Sequence, residues 1–224
     1  LLSIKAKQVS VRSQRFRLDS SGRLFDIPND AGQRKNVADQ FPEVTKSLSQ
    51  IAAKHRLSMS QHFAANKDRP FTVGYGHSTT LTARDGIPHG TIQRSSKAPN
   101  NSFFKNWTSQ DDAVTWDIDT GMAGNYNVTI FYTCAKKNVG CEMSLSIASG
   151  AKTSAVVSES FDPPLYDKSK ERVAESHYFV KDFKPLSLGK IHLPAGRNTL
   201  TLSATQIVGE QAIDLHSIQL VQAK

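Results

Sequence analysis

From residue 112 to residue 221 the sequence keeps returning to one pattern: a short run of alternating apolar and polar residues, closed by turn-forming residues. The run 112–119 alternates through Val114, Trp116 and Ile118, and Gly121 and Gly124 then mark a turn. The run 125–133 is dense in β-formers, 143–147 alternates up to Ser149-Gly150, and 199–204 alternates after Pro194-Ala195-Gly196. The stretch 213–221 is the last strand. A period of two sends successive side chains to opposite faces of a sheet, and a helix cannot be laid on it. Many short strands separated by turn residues lead to a sandwich or jelly roll.

The first 58 residues read differently. Residues 7–18 alternate through Val9, Val11, Ser13, Phe16 and Leu18, with Arg12, Arg15 and Arg17 between them, which predicts one half-buried strand. Ser20-Ser21-Gly22 turns, 23–27 returns, 28–32 breaks the strand, and Pro42 opens a helix where proline is tolerated. Val44, Leu48, Ile51 and His55 form the expected apolar stripe of that helix. A hairpin and one helix bury too little to stand alone, so this part must pack on something else. The three arginines form either a solvated strand face or a contact for an anionic substrate or acidic surface. Residues 59–69 are polar and read as a linker, with the sandwich spanning 70–224. The chain has no initiator Met and no signal peptide, and it reads as a piece of a longer protein.

Charge and hydropathy exclude two classes. The net charge is +8, but 11 Lys/Arg against 5 Asp/Glu fall in residues 1–58, and 17 against 15 in the remainder. The larger part is nearly balanced, which argues against a nucleic-acid partner. No apolar run approaches the roughly 20 residues of a membrane helix, so no integral membrane protein is expected.

Arg12, Gln14-Arg15-Phe16-Arg17-Leu18, Leu24-Phe25-Asp26-Ile27, Asn29-Asp30, Gly32, Asn36-Val37-Ala38 and Pro42-Glu43-Val44 follow one another in an order that resembles the C-terminal end of sulfatases of the arylsulfatase and alkaline-phosphatase-like superfamily. Ala31 and Gln33 replace the usual Pro and Glu. Trp116-Asp117-Ile118-Asp119 with Ala123-Gly124-Asn125-Tyr126-Asn127-Val128, Leu193-Pro194-Ala195-Gly196-Arg197-Asn198-Thr199-Leu200, and Ile213-Asp214-Leu215 with Ile218 resemble carbohydrate-binding modules of families 6 and 35. The segments 83–90, 102–112, 132–134, 162–165 and 178–189 resemble the C-terminal extension of planctomycete-type, N-acetylgalactosamine-6-sulfatase-like sulfatases. Together these resemblances imply a mainly β chain: a small α+β sulfatase C-terminal subdomain (β-hairpin plus helix), then a galactose-binding-like jelly-roll β-sandwich. They also imply a periplasmic or secreted setting and a sulfatase catalytic domain as partner. The sandwich would bind sulfated or neutral polysaccharide. The alternative is a purely structural or interaction sandwich that packs on the catalytic domain and binds no sugar.

The sulfatase nucleophile is a formylglycine made from a Cys or Ser heading a specific motif. Cys134 is followed by Ala135-Lys136-Lys137 and Cys141 by Glu142-Met143-Ser144, and neither fits. The chain alone is therefore not expected to be an enzyme. Seven histidines form no metal-binding pair, Asp111-Asp112 suits a turn better than acid–base work, and Gly74 and Gly76 lack the spacing of a phosphate loop. A sugar site needs an aromatic face beside polar fixing groups. Lys105, Asn106 and Trp107 offer both, unless Phe103, Phe104 and Trp107 simply plug the end of the sandwich. Arg172, Tyr178 and Lys181, in the polar connection 166–183, are the second candidate, against a solvated loop. The family 6 and 35 resemblance implies a structural calcium at Asp214, although Arg84 stands where those modules usually carry an acidic ligand. Cys134 and Cys141, with six residues between them including Asn138 and Gly140, are expected to face each other across a hairpin. They would be bonded in an oxidising compartment, or else form a pair of reduced core thiols.

Overall fold

A computed structural model describes residues 2–5, 8–96, 102–166 and 179–223, with backbone alone for 2–5. The chain divides into two compact units, Leu1–Arg69 and Pro70–Lys224.

In the first unit, β1 (Leu2–Lys5), β2 (Gln8–Arg12), β3 (Phe16–Leu18) and β4 (Leu24–Asp26) form an antiparallel sheet in that order, followed by α1 (Pro42–Ala65). The single strand expected over 7–18 is two strands. The Ser13 hydroxyl accepts from the Phe16 amide at 2.9 Å, while the Ser13 amide donates to the Phe16 carbonyl at 2.8 Å, closing a tight turn. The turn preserves the alternation on both sides, so Val9, Val11, Phe16 and Leu18 share a core with Leu24, Val37, Leu48 and Ala52. Arg15 is neither a free cation nor part of a bare solvated face. Its guanidinium grips the buried Asp26 carboxylate, with Nη2 at 2.7 Å and Nε at 3.2 Å, and it lies over the rings of Phe16 and Phe41.

The helix departs from expectation in two ways. Its buried line is Leu48 and Ala52 with Val44 alongside, whereas Ile51 is 40% exposed. At about 100° per residue Ile51 lies roughly 60° from Leu48 and 100° from Ala52, on the rim of the buried arc. The helix also runs to Ala65, so most of the stretch expected as a linker is helical. No Gly or Pro interrupts residues 43–65. Asn66 ends the helix, its side-chain amide donating to the His62 carbonyl at 2.8 Å. No helix among the described residues is long and apolar enough to cross a membrane.

The second unit is a two-sheet β-sandwich. Its strands are β5 (Phe71–Val73), β6 (Ser78–Thr82), β7 (Ile87–His89), β8 (Gln93–Arg94), β9 (Phe104–Lys105), β10 (Ala113–Thr120), β11 (Gly124–Thr133), β12 (Glu142–Ile147), β13 (Lys152–Val156), β14 (Lys184–Leu193), β15 (Gly196–Gln206) and β16 (Asp214–Gln222). One sheet runs β13-β12-β15-β10-β5 with β7 beside β10; the other runs β14-β11-β16-β9-β8 with β6 beside β16. The steps β10 to β11, β11 to β12, β14 to β15 and β15 to β16 all cross between sheets. This crossing brings the inward half of each alternating strand into one core, including Trp116, Ile118, Tyr126, Ile130, Leu145 and Leu202. The chain is thus mainly β, as its alternation requires.

Candidate functional site

The loop that carries the densest aromatics is a plug and not a platform. Trp107 is fully buried in the sandwich core together with Phe104, and Phe103 is buried as well. The indole N–H donates to the Asp112 carbonyl at 3.3 Å. Asn106 has φ of 62°, a left-handed turn, and its amide donates to the Thr91 carbonyl at 2.7 Å. This leaves Lys105 exposed while Asn106 is spent on the fold and Trp107 presents no face to a ligand. The organiser of the loop is Asp112, a buried carboxylate. It accepts from the Thr91 amide (2.7 Å) and hydroxyl (2.6 Å), the Thr108 amide (3.0 Å) and the Ser109 amide (2.9 Å). Burial alone pushes this carboxyl up, but the donors, Thr91 first, outweigh it and hold the group below the usual carboxylate range.

Lys181 also turns inward. Its side chain is 7% exposed, and its ammonium donates to Asp214 at 2.6 Å beneath the Phe103 ring, 4.7 Å from the centroid. A cation so enclosed and neutralised is not available to a ligand. Asp214 further accepts from Gln211 Nε2 and the Thr133 hydroxyl, both at 3.4 Å. The residues at Asp214 do not fit calcium: one carboxylate faces an ammonium, and no cluster of acidic or imidazole ligands exists among the described residues. Arg172 and Tyr178 lie outside the described residues.

Cys134 and Cys141 do meet, though not across a hairpin. Cys134 follows β11 in one sheet and Cys141 precedes β12 in the other, with a 3-10 turn at Lys136–Asn138 joining them. Both are buried free thiols, each with its sulfur 3.7 Å from the Ala212 carbonyl oxygen. The hydrogen bond between the two sulfurs lowers the Cys134 thiol, whereas that bond and burial push Cys141 up.

An open polar site lies instead at β10 and β15, on the sheet face turned away from the core. A groove of about 250 Å3 is lined by Pro70, Asp117, Ile118, Arg197, Asn198 and Thr199. Register makes the site: Asp117 stands opposite Thr199, and Asp119 opposite Arg197 on one side and Thr72 on the other. The Thr199 hydroxyl donates to Asp117 at 2.9 Å. Arg197 is exposed and enters no ion pair among the described residues. Sequence reasoning missed this group, although the alternation of Asp117 and Asp119 with Trp116 and Ile118 already turned both carboxylates outward. What it lacked was the pairing of two strands some 80 residues apart in the chain. Chemically the groove offers one guanidinium, one hydroxyl and the Asp117 carboxylate, with the Asp119 carboxylate next along the same face, a set suited to hydroxyl-rich ligands and to one anionic group.

No family model matches this chain, and no curated protein matches it. Among solved structures it is similar to the Cry4Aa toxin of Bacillus thuringiensis, at 13% identity over 70% of this chain and 25% of the toxin, with a TM-score of 0.52. It is also similar to a GH26-CBM35 β-(1,4)-mannanase of Podospora anserina (15% identity, 66% of this chain and 28% of that one, TM-score 0.46). A third likeness is to the CBM35 from Cellvibrio japonicus Abf62 (20% identity, 66% and 94%, TM-score 0.46). The chain spans about a quarter of the length of the toxin and of the mannanase. At 13% identity the toxin likeness concerns the fold alone.

Proposed function

We propose that this chain is a non-catalytic, glycan-binding segment of a periplasmic or secreted sulfatase, and that its sandwich holds sulfated polysaccharide for a sulfatase catalytic domain. The observation that carries the binding reading is the groove at β10 and β15, where Arg197 is exposed, without an ion pair among the described residues, beside Asn198, Thr199 and Asp117. A guanidinium forks onto a sulfate ester as onto a carboxylate, and the hydroxyl and carboxylates exchange hydrogen bonds with sugar hydroxyls. The sulfatase context is supported by the motif order over residues 12–44, and the lack of catalysis by the absence of a formylglycine motif at Cys134 and Cys141.

The test is retention of the purified chain on a panel of immobilised polysaccharides, each in native and chemically desulfated form. The expected result is retention on at least one sulfated member, weaker on its desulfated form and reduced by salt. Arg197→Gln should lose about ten- to a hundred-fold in affinity, the worth of one charge-assisted hydrogen-bonded contact. A chain that binds no member of the panel is the structural module of the alternative reading, and the proposal is then wrong.

A further inference from the structure

Tyr75, in the second unit, lies against backbone with most of its surface open. It is 68% exposed. Its ring packs on Gly121 so closely that a Cβ placed there would come within 2.7 Å of the ring. Gly121 continues the outward parity of Asp117 and Asp119, and its amide extends the β5–β10 pairing by donating to the Val73 carbonyl at 2.8 Å. Gly74, just before the tyrosine, has φ of +75°, and a Cβ there would collide with the Tyr126 hydroxyl. That hydroxyl donates to the Met122 carbonyl at 2.5 Å and anchors the same turn. Gly121 thus lets the Tyr75 ring lie against the backbone, while Gly74 and the buried Tyr126 set the turn that presents it.

Along β10 the distance from Asp117 to Gly121 is four residues, roughly 13 Å at about 3.3 Å per residue. Within that length lie the groove, the row Thr72–Asp119–Arg197 and then the Tyr75 ring. Resting on the glycan-binding reading above, we infer that Tyr75, Arg197, Asp117 and Asp119 form one strip for a sparsely sulfated saccharide. The Tyr75 ring stacks on a pyranose face, Arg197 takes a single sulfate, and the two carboxylates accept from free hydroxyls. The strip holds one cation and two anions, so a second sulfate meets Asp117 or Asp119 and is repelled. This is the opposite of a polyanion patch, whose affinity climbs with every added sulfate.

The experiment is calorimetric titration of the full chain with three tetrasaccharide probes: κ-carrageenan (singly sulfated repeat), λ-carrageenan (multiply sulfated) and agarose (unsulfated). Tightest binding is expected for κ-carrageenan. Tyr75→Ala should weaken it about ten-fold or more, as loss of an aromatic hot spot does. Tyr75→Phe should bind as the wild type does, and both variants should keep its melting temperature, since the ring is mostly exposed. Asp117→Asn/Asp119→Asn should gain affinity for λ-carrageenan. The inference is overturned if affinity rises with sulfation in the wild type, if Tyr75→Ala binds κ-carrageenan unchanged, or if the wild type binds none of the three probes. Retention on the wider polysaccharide panel together with any of these outcomes would leave the glycan-binding reading standing and this strip refuted.

Discussion

Replacing Trp107 by Ala separates the two roles that its loop could have had. The side chain is fully buried between the sheets and its indole N–H serves the Asp112 carbonyl. Truncating a buried aromatic to Ala leaves a cavity and costs about 3–5 kcal/mol. In a domain of this size each 1 kcal/mol moves the melting temperature by about 2–4 °C, so a fall of roughly 6–20 °C is expected. Trp107→Phe keeps most of the volume and loses the hydrogen bond, a net loss of about 1 kcal/mol added to a smaller cavity. Thermal unfolding followed by circular dichroism gives the stability, and glycan titration well below the transition gives the affinity. A plug predicts a large thermal loss with unchanged affinity in the folded protein. An unchanged melting temperature with collapsed affinity would show that Trp107 faces ligand, and the packing argument would be refuted.

Asp112→Asn should cost about 1.5–3 kcal/mol at neutral pH, because an amide cannot accept from all the donors that surround the carboxylate. The folded-state pKa of Asp112 is depressed, so its contribution is present above the unfolded value near 3.9 and is lost as pH falls through the folded one. Acid titration of wild-type stability should therefore be steeper below about pH 4 than that of Asp112→Asn, and parallel curves would contradict the assignment. In an oxidising compartment Cys134 and Cys141 should join, with a disulfide oxidant receiving the two electrons and two protons. The closed loop is short, so the bond should add about 2.5 kcal/mol, roughly 5–10 °C in melting temperature. Two free thiols in denatured, unreduced protein exported to such a compartment would count against it.

The fold was legible where a local rule decides it. Alternation at Val114, Trp116 and Ile118 placed β10, and Pro42 placed the start of α1. It was not legible where a single side chain redirects the backbone. Ser13 splits the first strand by bonding the Phe16 amide, and its polar character alone gives no warning of this. Nor did periodicity say which rim of the helical stripe would face out, since Ile51 and Ala52 differ only by a rotation set by packing. The site was less legible still. Aromatic density pointed at residues 103–107, yet aromatics cluster in cores as readily as on platforms, and the Asn106 turn that buries Trp107 depends on Thr91. Lys181 looked like a surface cation until Asp214 and Phe103 were brought to it from distant parts of the chain. The groove depends on register between β10 and β15, and the Tyr75 ring on a close approach to Gly121, read from sequence only as a turn.

The proposed ligand surface is the outer face of β10 and β15, away from the loop carrying Lys105, Asn106 and Trp107. Amide chemical-shift mapping of the isotope-labelled chain, titrated with the κ-carrageenan tetrasaccharide, tests this most directly. Shifts are expected to gather at Thr72, Tyr75, Gly121 and Asn198, with the amides of Asn106, Trp107 and Thr108 unmoved. Shifts gathered at 105–108 with a silent β10–β15 face would contradict it.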